Sequence, residues 1–298
     1  MIKRVHTVCA VECEFTVTVC SNCLGCSPTR QNASMSCGDG RPPSLGIVAC
    51  IAPAPGPTNK MPLITTMLRS FRKTVSRGDL QALGGRTCLY LCAMKRDKML
   101  LEHVRDVQHQ AQTPSLNIIG VRVFFYPSIS FYPSSAKTVS GGSTMSAFRE
   151  AFVQAYADGA EYFHHTFEDV EYTRAGWMRG AKRWLNKSTP HGIGVFFPPV
   201  SGGAGRTPTF VSRRHLEIFS TYAPYGLPDN AVGSWLASVY AERSNEVAYN
   251  HTLPRRRAHG RQGLIECGQS AVARWLSGVQ PPPPLADCSR AGADRPLV

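Results

Sequence analysis

Short apolar runs, separated by segments of helical periodicity, limit what this chain can fold into. Leu45–Ala52 (LGIVACIA), Thr87–Met94 (TCLYLCAM), Asn117–Tyr126 (NIIGVRVFFY) and Glu161–Thr166 (EYFHHT) have the length and composition of strands. Gly192–Phe197 (GIGVFF) adds one more. Between the first two, Leu63, Met67, Leu68, Phe71 and Val75 form a helical stripe. Helices are expected over Lys98–Gln110, over Thr144–Ala157 behind a Ser143 cap, and over Gly176–Leu185, Arg214–Phe219 and Ala231–Tyr240. Alternating strand and helix patterns predict an α/β fold, with a mostly parallel sheet flanked by helices.

The flanks read differently. Residues 1–44 hold six of the eleven cysteines, show little periodicity and end in Gly-Asp-Gly-Arg-Pro-Pro, the pattern of a poorly ordered, cysteine-rich leader. Cys20, Cys23, Cys26 and Cys37 have spacing that zinc could use, but the ligand pairs of a zinc ribbon are missing. Residues 254–298 are Arg- and Pro-rich and are expected to be largely irregular. That leaves one domain over 45–253. Its length suffices for a full core, and 43% hydrophobic against 18% charged residues is a globular balance. No apolar stretch is long enough for a transmembrane helix, and Glu12 and Glu14 interrupt the run that a secretory signal would need.

A net charge of +13 favours polyanionic surroundings, such as nucleic acid, an acidic membrane or phosphorylated substrates. Nucleic acid ranks last among these. The Arg255–Arg257 run stands in the tail, and no RNP, zinc-finger or helix-turn-helix pattern accompanies it. Against this basic background, the fourth strand run ends in the acids Glu168, Asp169 and Glu171. Ligands of open α/β sheets bind outside the carboxyl ends of strands, and carboxylates there can hold a divalent metal through hard oxygen ligands. Such a metal would neutralise a diphosphate leaving group. A solvated strand end is the alternative reading of the same residues.

Three longer stretches extend the pattern. "AYADGAEYF…EDVE…GW", "HGIGVFFPP" and "TFVSRRHLEIFSTYAPYGLPDNAVGSWLASVY" together resemble a nucleotide-diphospho-sugar transferase family of GT-A-like (Rossmann-like) fold, across residues 45–253. The resemblance implies glycosyl transfer from a nucleotide-sugar donor to a glycan or protein acceptor, with Mn²⁺ or Mg²⁺ as cofactor. It also implies a place in the secretory pathway. Glu168 and Asp169 stand where the family has its metal-binding acid pair, and Glu171 matches the acid that follows. Arg214 and His215 fall in the family's "FVHRTH" segment, toward donor or acceptor, with packing at a helix start as the alternative. His251 is in the region where such folds often supply a histidine to the metal, with a lone surface histidine as the alternative. Asp97 is the acid left in the loop after the second strand, on the donor side.

The chain departs from the family where two acids precede a tryptophan. It has Gly233-Ser234-Trp235 there, so the expected general base is missing, and Asp229 is the nearest acid before it. Two readings remain open: an active but impaired metal-dependent transferase, and a catalytically inactive protein that keeps the donor-binding scaffold.

Overall fold

The computed structural model describes residues 17–19, 41–51, 57–94, 98–111, 118–126, 144–187, 190–202, 207–224, 227, 231–245 and 259–278. Its centre is a six-stranded sheet. In chain order the strands are β1 (Val17–Val19), β2 (Leu45–Cys50), β3 (Thr87–Met94), β4 (Ile118–Tyr126), β5 (Tyr162–Phe167) and β8 (Thr209–Ser212). In space they run β1-β4-β3-β2-β5-β8. All neighbours are parallel except β8, which is antiparallel to β5. A smaller antiparallel pair joins β6 (Val170–Tyr172) to β7 (Val200–Gly202).

The helices cover both faces. After a π-helical turn over Leu63–Leu68 come α1 (Arg69–Thr74) and α2 (Arg77–Ala82), then α3 (Lys98–Ala111), α4 (Thr144–Ala157) and α5 (Trp177–Lys187). The later helices are α6 (Arg213–Phe219), α7 (Val232–Tyr240) and α8 (His259–Leu276). Helices α1, α2 and α5 share one layer. Arg179 pairs with Asp79, Lys182 donates to the Ala82 carbonyl, and the Gly176 N–H donates to Thr74 O at 3.0 Å. Helices α4, α6, α7 and α8 cover the opposite face. Strand β2 is fully buried, as a strand covered on both faces must be.

Chain direction reverses beside β2. From β2 the chain steps outward to β3 and β4, then returns through α4 to place β5 on the other side of β2. One buried carboxylate secures that return. Asp158, in the turn after α4, accepts from Tyr90 Oη of β3 at 2.7 Å and from Gln154 Nε2 at 2.8 Å, and pairs with Arg122 of β4 at 3.0 Å. Burial pushes the Asp158 carboxyl above its usual range, against the pull of Arg122 and these hydrogen bonds.

The four strands expected at 45–52, 87–94, 117–126 and 161–166 are therefore strands of a single sheet. Elsewhere the structure differs from expectation. Gly192–Phe197 makes two isolated bridges, Val195 with Ser244 and Phe196 with Phe210. The reason is local. Gly192 and Gly194 have φ of +84° and +149°, outside the range of regular strand residues, and a Cβ at Gly194 would meet the Arg243 carbonyl oxygen at 2.4 Å, so only glycine fits that close approach. The space next to β5 is taken by β8, part of a segment read from sequence only as the approach to a helix.

The Arg/Pro-rich tail, expected to be irregular, contains α8. This helix buries Ala271 and Val272, accepts from Trp235 Nε1 at the Leu264 carbonyl (3.2 Å) and donates from Gln269 Nε2 to Ser238 O (3.0 Å). Within the cysteine-rich leader, Val17–Val19 forms a strand beside β4. The zinc-spaced cysteines lie outside the described residues.

The Asp158 anchor is testable. Replacing it with Ala leaves the half-buried Arg122 guanidinium without its counter-ion and removes the Tyr90 and Gln154 bonds. The Asp158→Ala variant should lose about 3 kcal/mol of stability in chemical denaturation, with an unchanged m-value.

Candidate functional site

Strand β5 positions the acids, and its side chains alternate between two aromatic environments. Phe163, His165 and Phe167 face α4: the Phe148 ring lies 4.2 Å from His165 and 5.8 Å from Phe167, and Phe152 lies 5.9 Å from Phe163. Tyr162, His164 and Thr166 face the other way. There His164 lies 5.1 Å from the Trp177 ring and 6.2 Å from Phe210, and Tyr162 stacks on Phe210. A strand held on both faces has little freedom to slide, because a one-residue slip would exchange the two sets.

The second face carries a hydrogen-bonded chain whose proton positions follow from its ends. The Thr209 carbonyl can only accept, so His164 Nδ1–H donates to it, at 2.9 Å. His164 Nε2 is then an acceptor and takes the Tyr172 hydroxyl proton. Tyr172 Oη in turn accepts from Thr166 Oγ1, at 2.7 Å. Thr166 precedes the acidic turn and Tyr172 follows it, so the chain closes around the base of that turn. The Tyr172 N–H also donates to Ser70 Oγ of α1 at 3.1 Å.

Glu168 and Asp169 form the turn itself, between β5 and β6. Glu168 is nearly buried, at 8% exposure, and Asp169 is half-buried. The turn leaves the carboxyl end of β5, where Phe167 is in register with Cys50 at the end of β2, and Cys50 with Cys92 near the end of β3. This is the point where the strand order reverses, the place where open α/β sheets form a crevice for ligands. Glu171 stands apart. It is exposed on β6, where Ser201 Oγ donates to Oε2 at 3.4 Å.

Of the remaining sequence-predicted residues, the two that are described, Arg214 and His215, lie away from the turn. His215 is buried among the helices. Its Nε2–H donates to the Tyr222 carbonyl at 2.9 Å, so Nδ1 accepts from Tyr240 Oη at 2.8 Å. That is a packing position at a helix start, the alternative weighed for this segment. Arg214 is exposed, pairs with Glu217 at 2.6 Å and places its guanidinium 5.6 Å from the Trp275 ring. Both residues follow β8, whose Ser212 is in register with Tyr162 at the amino end of β5, opposite the acidic turn. Asp97, Asp229 and His251 lie outside the described residues.

Among the described residues no group of three or more His, Cys, Asp or Glu side chains is placed to hold a metal. Glu168 and Asp169 offer two carboxylates in one turn. That donor set suits Mg²⁺ or Mn²⁺ bound mainly through substrate phosphates and water, with one or two protein carboxylates. It does not suit a metal held by the protein alone.

Gly233 lies in the first turn of α7. A Cβ there would stand 3.0 Å from Thr207 Cβ and 3.6 Å from Phe197 Cε1. Thr207 comes two residues before β8, which begins opposite His165, so the start of α7 lies toward the end of the sheet where β5 delivers its acids. Gly233 therefore occupies close-packed space, whereas Ser234 is half-exposed.

No protein-family model matches the chain, and no curated protein matches it. Among solved structures, a candidate nucleotide-diphospho-sugar transferase from Desulfovibrio desulfuricans G20 is similar at 15% identity over 63% of this chain and 72% of that one, with a TM-score of 0.33. A superposition that loose carries no argument. The protein's class rests on its own topology: a doubly wound α/β fold with a carboxylate-bearing turn at the reversal of strand order.

Two results follow from the buried polar groups. Tyr172→Phe removes the bridge between His164 and Thr166 and should cost about 1–3 kcal/mol in denaturation experiments. Burial also drives the His164 and His215 imidazoles down to about 4 from an ordinary 6.5, even though the bonds to Thr209 and Tyr222 favour the charged form. The unfolded chain therefore binds more protons than the native one between these values. Stability from this pair should be complete above pH ~6.5 and decline as the pH falls toward ~4. Near pH 5, unfolding should take up almost two protons from the pair, and about one fewer in either His→Gln variant, measured by the slope of stability against pH.

Proposed function

We propose that the protein binds a nucleotide-sugar donor at the carboxyl edge of its sheet, with the diphosphate beside the Glu168–Asp169 turn. The observation that carries this reading is the position of that turn, at the end of β5 next to β2, where the strand order reverses. In such a crevice a diphosphate lies against the strand ends and the loops that leave them. Asp169, the more open of the two acids, supplies a ligand to Mn²⁺ or Mg²⁺ that arrives with the phosphates. Glu168, buried at the strand end, shapes the turn and supplies the second carboxylate. The cation's contribution when bound is to offset the negative charge that develops on the departing diphosphate.

Glycosyl transfer to a glycan or protein acceptor is the reaction this site serves, and Gly233-Ser234 makes it weak. An acceptor hydroxyl is a poor nucleophile near neutral pH, and a positioned base contributes ~10²–10⁴-fold. Neither residue supplies one. The same feature favours a second reading, a donor-binding protein without turnover, since donor binding needs only the turn and its neighbouring loops. Gly233 supports that second reading further. Its tight approach to Thr207 leaves no room for the acid of an active relative unless Thr207 moves.

Calorimetry with a uridine nucleotide, with and without Mn²⁺, tests donor binding. Binding should require the cation, and Asp169→Asn should lose the Mn²⁺-dependent binding while the fold stays intact. Equal affinity in wild type and variant would make Asp169 a solvated turn residue and end the proposal. For turnover, Ser234→Asp is the informative variant, because position 234 has open space that 233 lacks. It should raise transfer or donor hydrolysis at least ~10-fold while donor affinity changes less than the rate does.

A further inference from the structure

The protein's excess positive charge is concentrated on one helical layer. Helices α1, α2 and α5 carry eight Lys and Arg against the single acid Asp79, and α3, packed beside α1, adds Lys98 and Arg105 against Glu102 and Asp106, so the layer as a whole has ten basic and three acidic residues. Helices α4, α6, α7 and α8, on the other face, carry five Arg against Glu150, Glu217 and Glu266. The one acid among α1, α2 and α5 contributes little to their outer surface. Asp79 is buried, caps α2 through Ser76 at 2.8 Å and pairs with Arg179.

The exposed cations are arrayed together. On α5, Trp177, Met178, Ala181 and Leu185 are buried, so Arg179, Arg183 and Lys187 stack at i, i+4 and i+8 along the outer ridge. Exposed Arg69 and Lys73 repeat the i, i+4 spacing on α1, and Arg77 begins α2. Like charges at this spacing oppose helix formation. The ridge is thus held by tertiary packing rather than by local preference.

We propose that this layer is a docking face for a bilayer surface rich in anionic lipid. The array spans neighbouring helices that lie side by side in one layer, which suits a broad plane of negative charge. Nucleic acid fits less well. Helix α5 lies beside α2 and is not free to enter a groove, and the layer's aromatics are engaged in packing: Phe71 and Trp177 are buried, and half-buried Trp184 packs against the core and donates from Nε1 to the Arg243 carbonyl at 3.4 Å. No helix among the described residues is long and apolar enough to cross a membrane. The exposed cations make the proposed contact electrostatic, worth about fivefold in partitioning per cation near the surface and weakened by salt. This inference is independent of what the acidic turn binds.

Vesicle co-sedimentation of the full chain tests it, with phosphatidylcholine vesicles that contain or lack phosphatidylserine. The protein should pellet with the anionic vesicles only, and added NaCl should release it. Arg183→Glu with Lys187→Glu should lower partitioning at least ~25-fold. At equal net charge, Arg183→Glu should weaken binding while Arg274→Glu, on α8 of the opposite face, should not. Should the double reversal prove unfolded by circular dichroism, Arg183→Gln with Lys187→Gln reads the same face, with an expected loss of up to ~25-fold. Equal loss from Arg183→Glu and Arg274→Glu would overturn the proposal in favour of net charge alone. Binding to duplex DNA without binding to anionic vesicles would overturn it as well.

Discussion

Burial of β5 on both faces is the constraint on which the rest of the structure depends. The strand is the joint between the parallel sheet and its one antiparallel edge, and it hands the chain to the acidic turn. Phe163, His165 and Phe167 are fixed by α4, while Tyr162, His164 and Thr166 are fixed by Trp177 and Phe210. His164 and Thr166 stay inside because neighbouring strands satisfy them. The Thr209 carbonyl of β8 and the Tyr172 hydroxyl of β6 complete His164, so the two sheets share one hydrogen-bonded chain. Carboxylates at the end of so constrained a strand keep a fixed position relative to β2, as a phosphate or metal site requires.

The molecule divides its charge as it divides its layers. The acidic turn leaves the carboxyl edge of the sheet, and the basic excess collects on α1, α2 and α5 along one face. Helix α4 and its neighbours present a nearly balanced surface, where Arg149 is buried and donates to the Ala223 carbonyl at 2.8 Å while Arg214 pairs with Glu217. A donor at the edge and an anionic surface against the face would not compete for the same side chains. The two proposals therefore stand or fall separately.

Much of the framework was legible in the sequence, because uninterrupted apolar runs such as LGIVACIA and TCLYLCAM need cover on both sides. Thr144–Ala157 was legible to the residue, since a single stripe of Phe148, Ala151, Phe152 and Ala155 marks its buried face. The misreadings had physical causes. GIGVFF looks like a strand by composition, yet Gly192 and Gly194 both take positive φ, outside the range of regular strand residues. The tail was judged by its Arg and Pro content, whereas α8 is stabilised by contacts to α7 that local sequence does not show. Strand β8 was hidden because four residues before a helix carry almost no periodic signal.

For the site, the sequence by itself determined that acids end a buried strand in a basic chain, since residue type and order suffice for that. It also determined that neither of the two positions before Trp235 carries a carboxylate. Only the tertiary structure decided that this strand end lies at the reversal of strand order, because that depends on which strand becomes the neighbour of β2. It likewise decided that His215 is spent on Tyr222 and Tyr240, that Gly233 is closed off by Thr207, and that cations from distant segments share one face. These are contacts between residues far apart in the chain, and no local pattern encodes them.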